Sequence, residues 1–145
     1  MACTCEDLNA IHGLLAGIAQ HNDIAAWDDY GSLFTDDGVL HCFGRDYEGR
    51  DAVVTFTSRR HIGKHILSLP IIAIDGNHAT AVTDYTFYRY PDLVLFGVGV
   101  YNDELVKQGG TWLMARREIV VHAHHEDMTA AAKQNTTPIG DTMKA

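Results

Sequence analysis

The spacing of apolar residues changes about half-way along the chain. Between residues 4 and 21, Leu8, Ile11, Leu15 and Ile18 recur at i, i+3, i+7 and i+10, and Leu14 widens the stripe. That is one face of an amphipathic α-helix. Thr4 is placed to cap it, and Asp7 puts an acid in its first turn, where free backbone N–H groups favour negative charge. After a break at His21-Asn22-Asp23, a second helix is expected from about Ile24 to Phe34. It would show Ile24, Trp27, Tyr30 or Gly31, and Phe34 on one face, and end at Thr35-Asp36-Asp37-Gly38. Val39 to Phe43 reads as a short strand, 44–49 as a loop or ragged hairpin, and 50–60 as a short third helix. The β-branched Val53, Val54, Thr55 and Thr57 weaken that helix.

Beyond residue 63 the pattern is that of strands. Lys64–Ile74 is β-rich and bent at Pro70, which cannot donate to a ladder. Asp75-Gly76-Asn77 is a turn, Ala79–Tyr90 the next strand, and Tyr90-Pro91-Asp92 turns again. Leu93–Lys107 follows, with Gly97 and Gly99 marking a bend or a close backbone approach. Gln108-Gly109-Gly110 leads into Thr111–His124. Long strands joined by short turns make an antiparallel sheet. Helices first and strands second is an α+β order. A strongly curved sheet wrapped by three N-terminal helices would form a cone whose open mouth suits an apolar ligand. Residues 126–145 lack a sustained apolar period and read as a mobile tail, leaving 1–125 as one domain.

Composition narrows the partners. The chain has 145 residues, 46% hydrophobic and 21% charged, ordinary for one globular domain. Its formal charge of −8 disfavours nucleic acid and anionic membranes, both of which require clustered Lys and Arg. No apolar run is long enough to span a membrane, and the N-terminus lacks a signal-peptide pattern. The expectation is a cytoplasmic domain whose partner is a small molecule. The three cysteines, Cys3, Cys5 and Cys42, do not suggest a disulfide framework. Cys3-Thr4-Cys5 is too tightly spaced for an ordinary zinc pair. His122 and His124 share one side of a strand, next to His125; they read as solvent-facing side chains, and no metal is expected.

The stretch Asp23-Ile-Ala-Ala-Trp27-Asp28-Asp29-Tyr30-Gly-Ser-Leu33-Phe34-Thr-Asp36-Asp37-Gly38 resembles the opening of the SnoaL-like group of the nuclear transport factor 2-like superfamily. Gly49-Arg50-Asp51-Ala52-Val53 is similar to the start of that group's third helix. Tyr101-Asn-Asp103-Glu-Leu105, Gly110-Thr-Trp112 and Arg116-Arg117 resemble its closing strands. The resemblance spans roughly residues 5 to 122 and implies the cone-shaped α+β fold. Asp23 and His65 match the Asp and His of the scytalone dehydratase and hexachlorocyclohexane dehydrochlorinase branch, which implies a catalytic dyad inside the cone. It also implies a small cyclic or polyketide-like substrate and no cofactor. Departures occur at Ile18, Asn22, Cys42 and near Arg89, where other members carry different groups.

The chemistry suits the pair. A neutral imidazole is a good general base, because its ordinary pKa of about 6.5 lies near neutrality. A carboxylate on the far nitrogen fixes the tautomer and stabilises the imidazolium. Proton removal beside an activating group, then loss of a leaving group, is the expected reaction. Trp27, Cys42, Tyr85, Phe87 and Tyr101 are the expected substrate contacts. Taken singly, Asp23 could instead cap the second helix and His65 could be an ordinary strand histidine. A polyketide cyclase or isomerase, an epoxide hydrolase, and a non-catalytic binding or dimerisation module are the alternatives. The last requires a shallow or filled cavity and no Asp23–His65 contact. Arg116 and Arg117 point oppositely, so one can pair with Asp103. Val94, Phe96, Val98 and Val100 on one strand, and Ile119 and Val121 on another, are expected to offer an outer apolar face for a homodimer.

Overall fold

Thr4 does cap the first helix: its hydroxyl accepts from the Asp7 N–H at 3.2 Å. The computed structural model describes residues 4–125; the expected tail and Cys3 lie outside the described residues. In chain order the elements are α1 (Cys5–Asp23), α2 (Trp27–Ser32), β1 (Phe34–Cys42), β2 (Arg45–Glu48), α3 (Arg50–Ser58), β3 (Gly63–Leu67), β4 (Ile71–Asp75), β5 (His78–Arg89), β6 (Val94–Gln108) and β7 (Thr111–His124). The fold is α+β, with N-terminal helices and a curved, unclosed sheet ordered β2-β1-β7-β6-β5-β3, β4 pairing β5. No described helix is long and apolar enough to cross a membrane.

Ile11, Leu14, Leu15 and Ile18 form the buried face of α1, meeting Leu40, Leu105 and Met114 from the sheet. Each such side chain contributes about 1.5–3 kcal/mol through removal from water. A second, aromatic cluster of Tyr85, Phe87, Phe96 and Tyr101 lies further along β5 and β6.

Several expected elements change. The second helix covers only Trp27–Ser32, because Ala25 adopts a positive φ of 57° and the chain extends from Phe34. Thr35–Gly38, expected to end a helix, is an irregular stretch of β1 between its pairings at Phe34 and Val39. The ragged hairpin is a regular one: Phe43 (φ 51°) and Gly44 (φ 73°) turn β1 into β2, and two positive-φ residues suit the twist of a tight hairpin. Lys64–Ile74 is two strands, β3 and β4, that pair in turn along β5. Every strand pair is antiparallel except β1 with β7, which is parallel. A parallel pair needs a long crossover, and all of β2 to β6 supplies it.

The expected outer apolar face is also rearranged. Bulges shift the register of β5–β6 after Phe87 and of β6–β7 after Val98. Phe96 is 1% exposed, and Phe96, Ile119 and Val121 line an internal cavity. Exposed apolar side chains lie instead at Ile66, Ile71, Val82 and Leu95.

Asp7 ties α1 to the sheet, meeting Lys107 Nζ at 2.8 Å and Trp112 Nε1 at 2.9 Å. Those hydrogen bonds lower its pKa from 3.8 to about 2. A carboxyl more acidic in the folded state stabilises the fold above its unfolded pKa, and loses that effect as pH falls through its folded pKa. Asp7→Asn is therefore expected to lower the melting temperature at neutral pH. Its deficit relative to wild type should shrink between pH 4 and 2, measured by thermal melts across that range.

Candidate active site

Asp23 is the last residue of α1, and His65 lies in the middle of β3. The helix end delivers the carboxylate to the strand: His65 Nδ1 lies 2.6 Å from Asp23 Oδ1. The His65 backbone N–H also donates to both carboxylate oxygens at 3.2 Å. Lys64 Nζ is 3.4 Å from Oδ2. Asp23 does not cap α2; that cap position is Ala26 and carries no side-chain bond. A carboxylate as buried as this one, 4% exposed, is costly unless its oxygens are met, and the His65 amide, the His65 ring and the Lys64 ammonium meet them. With Nδ1–H given to the carboxylate, the lone pair of the neutral ring is on Nε2.

The imidazole rests against Phe87, with ring centroids 4.6 Å apart. Gly63 makes this possible: a Cβ there would fall 1.9 Å from the Tyr88 carbonyl oxygen and 2.7 Å from the Phe87 ring. Gly99 has a matching role under Tyr85, as a Cβ would lie 2.0 Å from the Val120 oxygen and 2.9 Å from the Tyr85 ring. The close approach expected at Gly99 is thus one to the Val120 carbonyl and the Tyr85 ring.

His65 forms part of the wall of a cavity of about 100 Å³. Cys42, Tyr85, Phe87 and Tyr101 line it, as expected. Trp27 does not: it packs edge-on against Tyr30 at 5.8 Å, and Tyr30 lines the cavity in its place. The six-residue α2 turns only one aromatic inward. Tyr30 is 3% exposed, and its hydroxyl lies 3.2 Å from that of Thr57. Arg60 and His61 also line the cavity, and their sequence carried no signal because they follow the end of α3, where helical spacing stops.

Burial pushes the Cys42 thiol up to about 11 and the Tyr85 phenol up to about 12. Both are uncharged at neutral pH, so Cys42 is a wall residue and not a thiolate nucleophile. Burial raises Tyr101 as well, and its ring stacks on Tyr85 at 4.4 Å. Below Tyr101 lies a buried ion pair. Arg117 Nε and Nη2 each donate to Asp103 at 2.8 Å, and the guanidinium sits 4.0 Å from the Tyr101 ring centroid. Burial works against the Arg117 charge, and Asp103 more than offsets it, raising its pKa. Arg116 points the other way, to Asp46 at 3.2 Å.

A second imidazole–carboxylate contact, His41 Nδ1 to Asp46 Oδ1, has the same 2.6 Å length. Its side chains are 32% and 40% exposed, and neither lines the cavity. Water screens such a pair, so the two contacts share a length but differ in burial and in access to the cavity. At the end of β7, His122 and His124 are exposed, and His124 Nδ1 donates to the His125 carbonyl. Among the described residues no group of three His, Cys, Asp or Glu side chains is arranged to hold a metal ion.

The model of the SnoaL-like domain family matches residues 4–118, which include Asp23, His65 and Arg117. The chain belongs to the SnoaL-like family. No curated protein matches it. Among solved structures, a Mycobacterium tuberculosis protein of unknown function is 22% identical with a TM-score of 0.80, over 93% of this chain and 99% of the other. A scytalone dehydratase-like protein from Novosphingobium aromaticivorans is 19% identical with a TM-score of 0.71, over 83% and 87%. A hexachlorocyclohexane dehydrochlorinase is 13% identical with a TM-score of 0.73, over 83% and 88%. At these identities the likeness is one of fold. Three positions where the sequence departs from other members, Ile18, Asn22 and Cys42, line the cavity of this SnoaL-like protein. Arg89, the fourth, pairs with Asp92 and lies over the Phe96 ring, at 4.8 Å, without lining the cavity.

Proposed function

We propose that this chain is a cofactor-independent lyase that eliminates a leaving group, water or a similar group, from a small cyclic or polyketide-like molecule. The observation that carries the proposal is the 2.6 Å contact between the buried Asp23 and a His65 ring set in the cavity wall. His65 Nε2 takes a proton from carbon beside an activating group. Asp23 holds the ring and stabilises the imidazolium that forms. The apolar surroundings, Phe87, Phe96, Ile119 and Val121 among them, keep water from screening that interaction. The alternatives, a SnoaL-like cyclase or isomerase, begin with the same proton transfer. A non-catalytic module has no need of a carboxylate-steered imidazole beside an open cavity.

Proton abstraction is measurable before the natural substrate is known. Cyclic β-hydroxy ketones incubated with the protein in heavy water are expected to exchange the activated C–H, and to lose water, in proportion to enzyme. NMR follows both. Failure of every activated ring compound to exchange would remove the lyase, isomerase and cyclase proposals together. The homodimer also belongs to this proposal, with Ile66, Ile71 and Val82 as the apolar side chains offered to a second copy. Sedimentation at micromolar concentration is expected to give twice the chain mass, and a monomer would count against it.

A further inference from the structure

The cavity wall has a charge that the chain as a whole does not. Acidic residues outnumber basic ones by 19 to 11, yet among the described residues no carboxylate lines the cavity. Two guanidinium groups do. Arg117 is neutralised by Asp103 at 2.8 Å. Arg60 has no such carboxylate partner among the described residues, and its Nη1 is buried without a hydrogen bond. Its guanidinium is held against the rings of Phe43 at 5.2 Å and Phe56 at 5.5 Å. These rings orient the group without satisfying its N–H donors. Burial accordingly lowers the Arg60 pKa.

A second polar group in the same wall also lacks a partner. Tyr85 is 4% exposed, and its hydroxyl is buried with no hydrogen bond. Buried donors left unmet are costly, more so when charged, so their retention points to a ligand that meets them. Arg60, Tyr85 and Cys42 all line this one cavity.

We propose that the molecule bound here is a small cyclic carboxylate, its carboxylate taken by Arg60 with the Tyr85 hydroxyl as a second donor. This rests on the dyad proposal only in treating the cavity as a substrate site. It adds that the ring is anchored by its acid group while the reacting C–H faces His65. A guanidinium suits this role because its planar fork matches a carboxylate with two parallel hydrogen bonds.

The test compares benzoate with its uncharged isostere benzamide, titrated into the full chain by NMR at about pH 8.5, above the ordinary histidine range. Wild type is expected to bind benzoate about tenfold or more tightly than benzamide. Arg60→Gln should abolish that preference, Arg60→Lys should keep part of it, and Tyr85→Phe should weaken benzoate alone. Thermal melts check that each variant is folded. His65→Gln should keep the preference for benzoate while losing proton exchange, which separates the two proposals. Equal binding of the two probes by wild type, or no binding of benzoate up to about 10 mM, overturns the carboxylate assignment and leaves the dyad untouched. An Arg60→Gln protein that still prefers benzoate also overturns it, without any recourse to folding.

Discussion

His65→Ala is expected to lower the rate of proton exchange and elimination by about 10³–10⁴-fold while leaving the melting temperature within a few degrees of wild type. The side chain is 14% exposed and stands at a cavity wall, so its loss widens a space already present and does not open a void in a packed core. Asp23→Asn should come close to the same loss by another route. The amide keeps the shape, but it can turn its N–H₂ toward Nδ1 and favour the tautomer with the proton on Nε2, leaving no base toward the cavity. Because both variants act on one step, the double variant should be barely worse than either single one. Asp23→Ala is expected to differ from Asp23→Asn in stability. It leaves the His65 amide, bonded to both carboxylate oxygens at 3.2 Å, without an acceptor, at about 1–3 kcal/mol. Steady-state rates with a compound that exchanges, paired with thermal melts, check all four. Wild-type turnover in both single variants would end the dyad assignment.

Asp103→Ala should have the largest effect on stability, about 3–5 kcal/mol. The pair it breaks is bidentate and buried, with Asp103 3% and Arg117 4% exposed. Removing the carboxylate strands a guanidinium beneath the ring of Tyr101 in the cavity wall. For a chain of this size that corresponds to a fall in melting temperature of roughly 10–15 °C. Truncating both partners, Asp103→Leu with Arg117→Met, should recover much of the loss, because no uncompensated charge remains. Calorimetry of the three proteins measures this. A single variant that melts within two or so degrees of wild type would mean that water reaches the pair.

Much of the fold is legible in local sequence. The stripe from Leu8 to Ile18 needs only helical periodicity, and the buried face of α1 follows from it. The strands from β5 onward follow from alternation and from glycine-bearing turns, two of which hold Gly76 at φ 59° and Gly109 at φ 57°. Where local preference and distant pairing disagree, the sequence misleads. Thr35-Asp36-Asp37-Gly38 has turn composition, but pairing with β7 draws it into β1 as an irregular strand. Phe96 alternates with its neighbours as an outward residue, yet shifts in the β5–β6 and β6–β7 registers accompany its place in the cavity wall. A register shift of one residue reverses which face a side chain takes.

The site divides in the same way. Asp23 and His65 are found through resemblance to a family, not through spacing, since 42 positions separate them in the chain. Tyr85 and Phe87 follow from strand alternation, and Tyr101 from the resemblance of its strand to the family. Trp27 lies outside the cavity lining because the short α2 turns Tyr30 to that side. Arg60 and His61 carry no pattern at all, lying past the end of α3.

By itself, then, the sequence determines most of the helices and strands, those whose choice depends on side chains a few positions apart, but not the start of β1. It determines the acid-rich charge and the presence of an Asp and a His suited to proton transfer. Only the tertiary structure decides that β1 lies parallel to β7, that Arg117 is neutralised while Arg60 is not, and that the Asp23–His65 contact is buried where the His41–Asp46 contact is exposed. The physical reason is that desolvation belongs to no single residue. It arises where elements far apart in the chain close on one another, and the proposed base depends on it.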